Sequence, residues 1–300
     1  MALTKQQAKS ILMPFAMVIG AVLYRPLAEV ERLSANTLTP LLIAAMLFIT
    51  FCRVDMRAMR LNIIHLWMLL VQFIGSIAVY HIVEPLMGQT LGQGAMICVL
   101  APIAMAAVVI GGMLGANVNT MVTYSLICNF ATALIAPTLL HIYGNGTCTF
   151  MEIIGRIAPT LLAPFVVAQL LRWLYPKGAQ WFSSHSSISF YLWLISLILV
   201  MGRTTAFIID TDADIYVEIG LALIALVLCI IQFSVGRILG RMSGDTVAGT
   251  QSVGQKNTIL AIWMSLNFLD PVASIAPTAY IAWQNFVNSY QIYKHNAERR

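Results

Sequence analysis

Apolar runs long enough to cross a bilayer follow one another along almost the whole chain, and within each run the apolar residues are continuous rather than alternating. Hydrocarbon offers no partners to backbone amides and carbonyls, so a spanning segment must be a helix or part of a closed barrel. Continuity without a period of two selects the helix. Only 10% of the residues are charged, against about 25% in a soluble domain, and the mean hydropathy is +0.83. The 17 Lys and Arg lie thinly at the ends of apolar runs and build no basic patch, which excludes nucleic acid as an expected partner. The five cysteines, Cys52, Cys98, Cys128, Cys148 and Cys229, make no CxxC pair and read as packing residues.

Crossing about 30 Å of hydrocarbon takes about 20 apolar residues, and on that measure about ten spans are expected. Their limits are 9 to 27, 36 to 53, 61 to 83, 91 to 113, 117 to 142, 152 to 175, 186 to 208, 215 to 238, 246 to 268 and 271 to 293. The first run continues into Tyr24-Arg25-Pro26 without a small-residue cleavage site, so this helix is expected to be retained. One set of alternate span ends carries Lys5, Lys9, Arg53, Arg57, Arg60, Arg172, Lys177, Arg237, Arg241, Lys294, Arg299 and Arg300. The other set carries Arg25, Arg32, Arg203 and an acidic loop of Asp210, Asp212 and Asp214, with Arg156 borderline. Cytoplasmic loops hold the excess of Lys and Arg, so both termini are expected inside a plasma membrane or bacterial inner membrane.

Ten spans divide into five-helix halves, 1–148 and 149–300, and because five is odd the second half enters the membrane from the opposite side. Such a chain carries an inverted repeat. The fourth span of each half is irregular: Pro102, Gly111 and Gly112 interrupt one, and Gly249, Gly254 and a polar run interrupt the other. Unwound backbone frees carbonyls and amides near the midplane, where they can hold ions or anionic groups. The stretch from Gly249 to Asn257, which includes Ser252, Gln255 and Lys256, is costly in lipid unless it lines a cavity. Gln72, Asn117, Asn119, Thr123, Ser125, Asn129, Gln284, Asn285, Asn288 and Ser289 accompany it; any one of the small polar residues also serves helix packing.

Pro40 to Phe48, Val71-Gln72-Phe73, Ala101-Pro102 and Gly115 to Pro137 resemble the bile acid:sodium symporter family in order and spacing. So do Val253-Gly254, Asn257, Pro271-Val272-Ala273, Pro277 and Trp283-Gln284-Asn285. The resemblance implies an all-α fold with inverted five-helix repeats. It also implies a core domain of spans 3–5 and 8–10, containing two crossing broken helices, and a panel domain of spans 1, 2, 6 and 7. The departures concern sodium. Where sodium-dependent members resemble Glu-x-Gly-x-Gln-Asn, this chain reads Ser252-Val253-Gly254-Gln255-Lys256-Asn257, so Ser252 stands for the carboxylate and Lys256 for the Gln. Ala107 and Val108 replace the Ser and Asn of span four, and Met121 replaces a hydroxyl in span five, although Ser125 keeps one. Of the sodium-site residues, Gln72 survives. A hard cation wants several oxygen ligands, and this set is poor in them.

The expected activity is therefore secondary transport of an organic anion, bile-acid-like or a small carboxylate, by alternating access and without sodium coupling. Lys256, Asn257, Gln284, Asn285 and Asn117 are the candidate substrate contacts. Gln72, Ser125, Ser252, Gln255 and Lys256 are the candidate ion-site or coupling residues, and a proton held on Lys256 is a candidate coupling ion. The competing expectation is a non-transporting membrane sensor that keeps the fold. No HExxH, no Gly-x-Ser-x-Gly and no His/Cys cluster is present, and His65, His81, His141, His185 and His295 are dispersed, so neither an enzyme nor a metal or other cofactor is expected. Asn145-Gly146-Thr147 matches a glycosylation sequon.

Overall fold

The computed structural model describes residues 15–52, 54, 59–146, 148–185, 187–211 and 214–298. Lys5, Lys9, Arg53, Arg57, Thr147 of the sequon, Asp212, Arg299 and Arg300 lie outside the described residues. The described chain is helical, with no strand beyond one isolated antiparallel bridge between Ile103 and Lys256. In order the helices are α1 (15–22), α2 (Tyr24–Leu33), α3 (Leu38–Phe51), α4 (Ile63–Met87), α5 (Gln89–Leu100), α6 (Met105–Met113) and α7 (Val118–Tyr143). They continue as α8 (Phe150–Leu174), α9 (Pro176–Ser184), α10 (Ser187–Thr211), α11 (Ile215–Met242), α12 (Thr246–Gly254), α13 (Thr258–Phe268), a 3-10 turn (Pro271–Ser274) and α14 (Ile275–Glu298).

Five described helices are long and apolar enough to cross a membrane: α4, α7, α8, the 188–210 part of α10, and α11. A sixth span results if α2 and α3, which meet at 83°, are counted as one. The expected fourth and ninth spans fail that length test because each is divided, into 12- and 9-residue helices in one case and 9- and 11-residue helices in the other. Residues 28–33, read from sequence as a connection, are helical instead. Pro26 falls in the first turn of α2, where its missing N–H costs no helical bond, and Ala28-Glu29-Val30-Glu31-Arg32-Leu33 are mostly good helix formers.

The chain gathers into two compact units, each drawn from both halves of the sequence. The first is Met1–Arg53 with Pro159–Ala213, and the second is Val54–Ala158 with Asp214–Arg300. In the first, α10 packs on α2 and α3. A Cβ on Gly20 would sit 2.6 Å from the Ile198 carbonyl and one on Gly202 would sit 2.7 Å from Leu27 Cβ, so small residues set how near those helices come. Glu31, fully buried, accepts hydrogen bonds from the backbone N–H and the hydroxyl of Thr39 and so fastens the corner between α2 and α3.

In the second unit α5, α12 and α13 are innermost. Leu91 through Leu100 are all buried, as are Ala248 through Gly254 and Thr258 through Ser265. A helix apolar or small on every side belongs at a centre rather than a surface. Gly249 lies against α11 so closely that a Cβ there would fall 2.4 Å from the Gly236 carbonyl oxygen and 2.6 Å from Gly240 Cα. Gly249 therefore sits in an unbroken helix as a contact point, and Gly111 and Gly112 likewise sit within α6, Gly111 under Met121 Sδ. The breaks fall elsewhere, at residues 101–104 and 255–257.

Candidate functional site

Pro102 explains the first break. It disfavours helical geometry at Ala101, which is extended at φ −53° and ψ 135°, and it has no N–H to return to Cys98 four residues back. The last carbonyls of α5 are thus left without helical donors, an arrangement that is costly when buried. Side chains from two other helices and from the second break fill the deficit. Gln232 Nε2 of α11 donates to the Cys98 carbonyl at 3.3 Å, Lys256 Nζ to Val99 at 2.9 Å, and Gln72 Nε2 of α4 to Leu100 at 2.7 Å.

The second break crosses the first. Ala104 N–H donates to the Gln255 carbonyl at 2.9 Å and Asn257 N–H to the Pro102 carbonyl at 2.8 Å, which makes the Ile103–Lys256 bridge. The amide of Lys256 donates to Gln284 Oε1 at 2.9 Å, and Tyr280 of α14 donates its hydroxyl to the Gly254 carbonyl at 2.8 Å. Asn257 caps α13 through its side-chain oxygen and Leu260 N–H. Among the described residues Lys256, 3% exposed, is the one buried lysine or arginine. Its ammonium sits at the carbonyl end of α5, where the macrodipole is negative, with the thiols of Cys128 and Cys98 near enough to sense the charge.

Gln72 is fully engaged: beyond its bond to Leu100 it donates to Thr132 Oγ1 at 3.2 Å, and its oxygen accepts from Tyr124 at 3.2 Å and Cys128 at 2.9 Å. Ser252 Oγ and Gln255 Oε1 are buried without a hydrogen-bond partner among the described residues. Ser125 is buried on α7, and its carbonyl accepts from Asn129 at 2.7 Å. Asn285 is half-buried and donates to Ile281 of its own helix at 2.8 Å. The structure brings Lys256, Gln255, Asn257, Gln284 and Gln72 to one crossing.

Asn117 is placed elsewhere. It caps α7 and lines a cavity of about 710 Å³ at which α4, α7 and α12 all begin, capped respectively by Asn62, Asn117 and Asp245. The Asp245 carboxylate serves two of these starts, accepting from Ala248 N–H at 2.8 Å and Asn117 N–H at 2.7 Å. Gln232, Tyr280, Tyr124 and Asp245 were not singled out from sequence. Gln232 carries the signal that marked Gln72, a lone amide in an apolar span, and could have been found by it.

Two broken helices thus cross at their breaks, with a cation and side-chain amides on the freed carbonyls. The profile of the SBF-like CPA transporter family matches residues 10–277. The chain belongs to that family. This is the bile acid:sodium symporter type to which the sequence motifs pointed. Membership, together with the apolar helices, makes the chain a multi-pass membrane protein of a transporter family. No curated protein matches the chain.

Proposed function

We propose that this SBF-like protein is a secondary carrier of an organic anion, bile-acid-like or a small carboxylate, that works by alternating access without sodium. The observation that carries the reading is Lys256 Nζ at 2.9 Å from the Val99 carbonyl. A buried helix end rich in carbonyls needs a positive charge, and here a side chain brings it covalently. The other ion-site positions, Ser125, Ser252 and Gln255, contribute neutral oxygens, a weak set for a hard cation. With sodium's place filled, a proton held by Lys256 is the coupling ion. Asn257 and Gln284 at the crossing are the substrate contacts, with Asn285 next to Gln284 on α14 and Asn117 in the lining of the cavity where α4, α7 and α12 begin. Helix α6 begins without a side-chain cap, which leaves its first amides for an anionic group. The second unit acts as the transport core, within ten spans arranged as an inverted repeat.

Reconstituted into liposomes, the protein should accumulate or exchange at least one of a panel of labelled carboxylates, sulfates and sterol conjugates. Ligands that bind but neither accumulate nor exchange would end the carrier reading and favour a non-transporting sensor.

The charge distribution supports an orientation with both termini in the cytoplasm. Single cysteines introduced as Lys5→Cys or Lys177→Cys should be shielded from an impermeant thiol reagent in intact cells, and Asp212→Cys should react. Reaction at position 177 from outside would remove the span count and the repeat together.

A further inference from the structure

The first unit holds a polar cavity of about 160 Å³ where α8 ends and α9 begins, lined by Cys52, Arg172, Pro176, Ala179, Gln180 and Ser183. Arg172 is the cation in it. Its Nη1 donates to the Cys52 carbonyl at 3.2 Å, and no carboxylate forms an ion pair with it among the described residues. A guanidinium offers five N–H donors in a planar fork suited to phosphate or carboxylate, so among the described residues one bond to a carbonyl leaves most of that capacity unused.

The surroundings are those of a membrane interface. The chain turns out of α8 at Tyr175 and starts α9 on Pro176, with no side-chain cap on the new helix. Helix α9 buries Ala179 and sets Phe182 edge-on to Phe48, ring centroids 5.1 Å apart. Its other side leaves Lys177 exposed and Trp181 half open. Trp173, Leu174 and Tyr175 are 78%, 70% and 59% exposed, a collar of apolar and aromatic side chains beside the cavity. Tryptophan and tyrosine collect at the headgroup level, and a basic cluster there attracts anionic lipid. A soluble anion would need the arginine but not the collar.

We propose that the Arg172 cavity binds the phosphate of an anionic phospholipid, Lys177 adding charge at its rim and the Trp173-Leu174-Tyr175 collar lying against the acyl chains. This site lies within the first unit and does not depend on the transport reading. Native mass spectrometry of the full-length protein, offered phosphatidylglycerol and phosphatidylcholine with the same chains, tests it. The wild type should retain phosphatidylglycerol about fivefold over phosphatidylcholine, the factor expected of one basic contact. Arg172→Gln should abolish the preference and Arg172→Lys should keep part of it. Lys177→Gln, at an exposed position that spares the Cys52 contact, should reduce the preference in a protein whose thermal midpoint in phosphatidylcholine is unchanged. Equal retention of both lipids by the wild type would overturn the proposal, as would a preference unchanged in both glutamine variants. Displacement of phosphatidylglycerol by millimolar inorganic phosphate alone would also overturn it, identifying a soluble-anion site instead.

Discussion

Uptake by the wild-type protein should be unchanged when sodium is replaced by potassium or choline, and should fall about tenfold or more in Lys256→Ala. The size of the loss follows from what the ammonium touches. Without it the Val99 carbonyl is buried and unpartnered, which costs about 1–3 kcal/mol, and the negative end of α5 loses its one formal charge. That is a large fraction of the roughly 5–15 kcal/mol by which a folded domain is stable, so the thermal midpoint should fall with the activity. The reverse exchange is more telling. Lys256→Gln with Ser252→Glu removes the covalent cation and supplies an amide oxygen in its place and a buried carboxylate four residues earlier on α12. Sodium should then raise both the uptake and the thermal midpoint of the double variant while leaving the wild type unaffected. Strong sodium dependence of the wild type would refute the substitution, and uptake unchanged in Lys256→Ala would show that the lysine is not the cationic element.

Gly249→Ala should separate α11 from α12 and lose the monodisperse protein. The added carbon would meet Gly236 O and Gly240 Cα at 2.4 and 2.6 Å, and both are backbone atoms that no rotamer change can move. Overpacking a tight contact costs about 1–3 kcal/mol, and close backbone approach is a main source of association between helices in lipid. Gly155→Ala on α8 is the control, since a Cβ there meets nothing within 4 Å. Size-exclusion profiles recorded after stepwise heating should show Gly249→Ala aggregating several degrees below wild type and Gly155→Ala at or above it. Coincident midpoints for the two variants would mean that the α11–α12 contact is not as close as described.

The class of the fold is legible because continuous apolar runs admit so few solutions, and Gln72 and Lys256 are legible because polar groups in such runs demand a reason. The positions of the breaks are only half legible. Pro102 points to its break, for its N–H is absent and its ring acts on Ala101, even though Pro85, Pro137, Pro159 and Pro164 are held inside α4, α7 and α8. Glycine carries no such instruction. Gly111, Gly112 and Gly249 read as interruptions, yet they sit inside helices as points of contact, and the deciding fact is what lies opposite: Met121, Val118 and Gly236. Those neighbours lie on the adjacent helices, and how closely two helices approach is set by packing rather than by the residues of either one. Asn117 was grouped with the crossing on motif order, but its place is the start of α7, where a side-chain acceptor is wanted by the first amides. Helix α9 was missed because nine residues with Lys177, Gly178 and Gln180 look like a loop until Ala179 and Phe182 find their partners.

The crossing is joined through main-chain atoms: Ala104 N–H to Gln255, and Asn257 N–H to Pro102. Those two bonds depend on no side chain at Ala104, Gln255 or Asn257, so the crossing itself is held apart from the side chains that serve the freed carbonyls. Two separate inheritances follow. The architecture can persist while the residues at the joint are exchanged, so the backbone crossing and the charge placed on it are able to change one without the other.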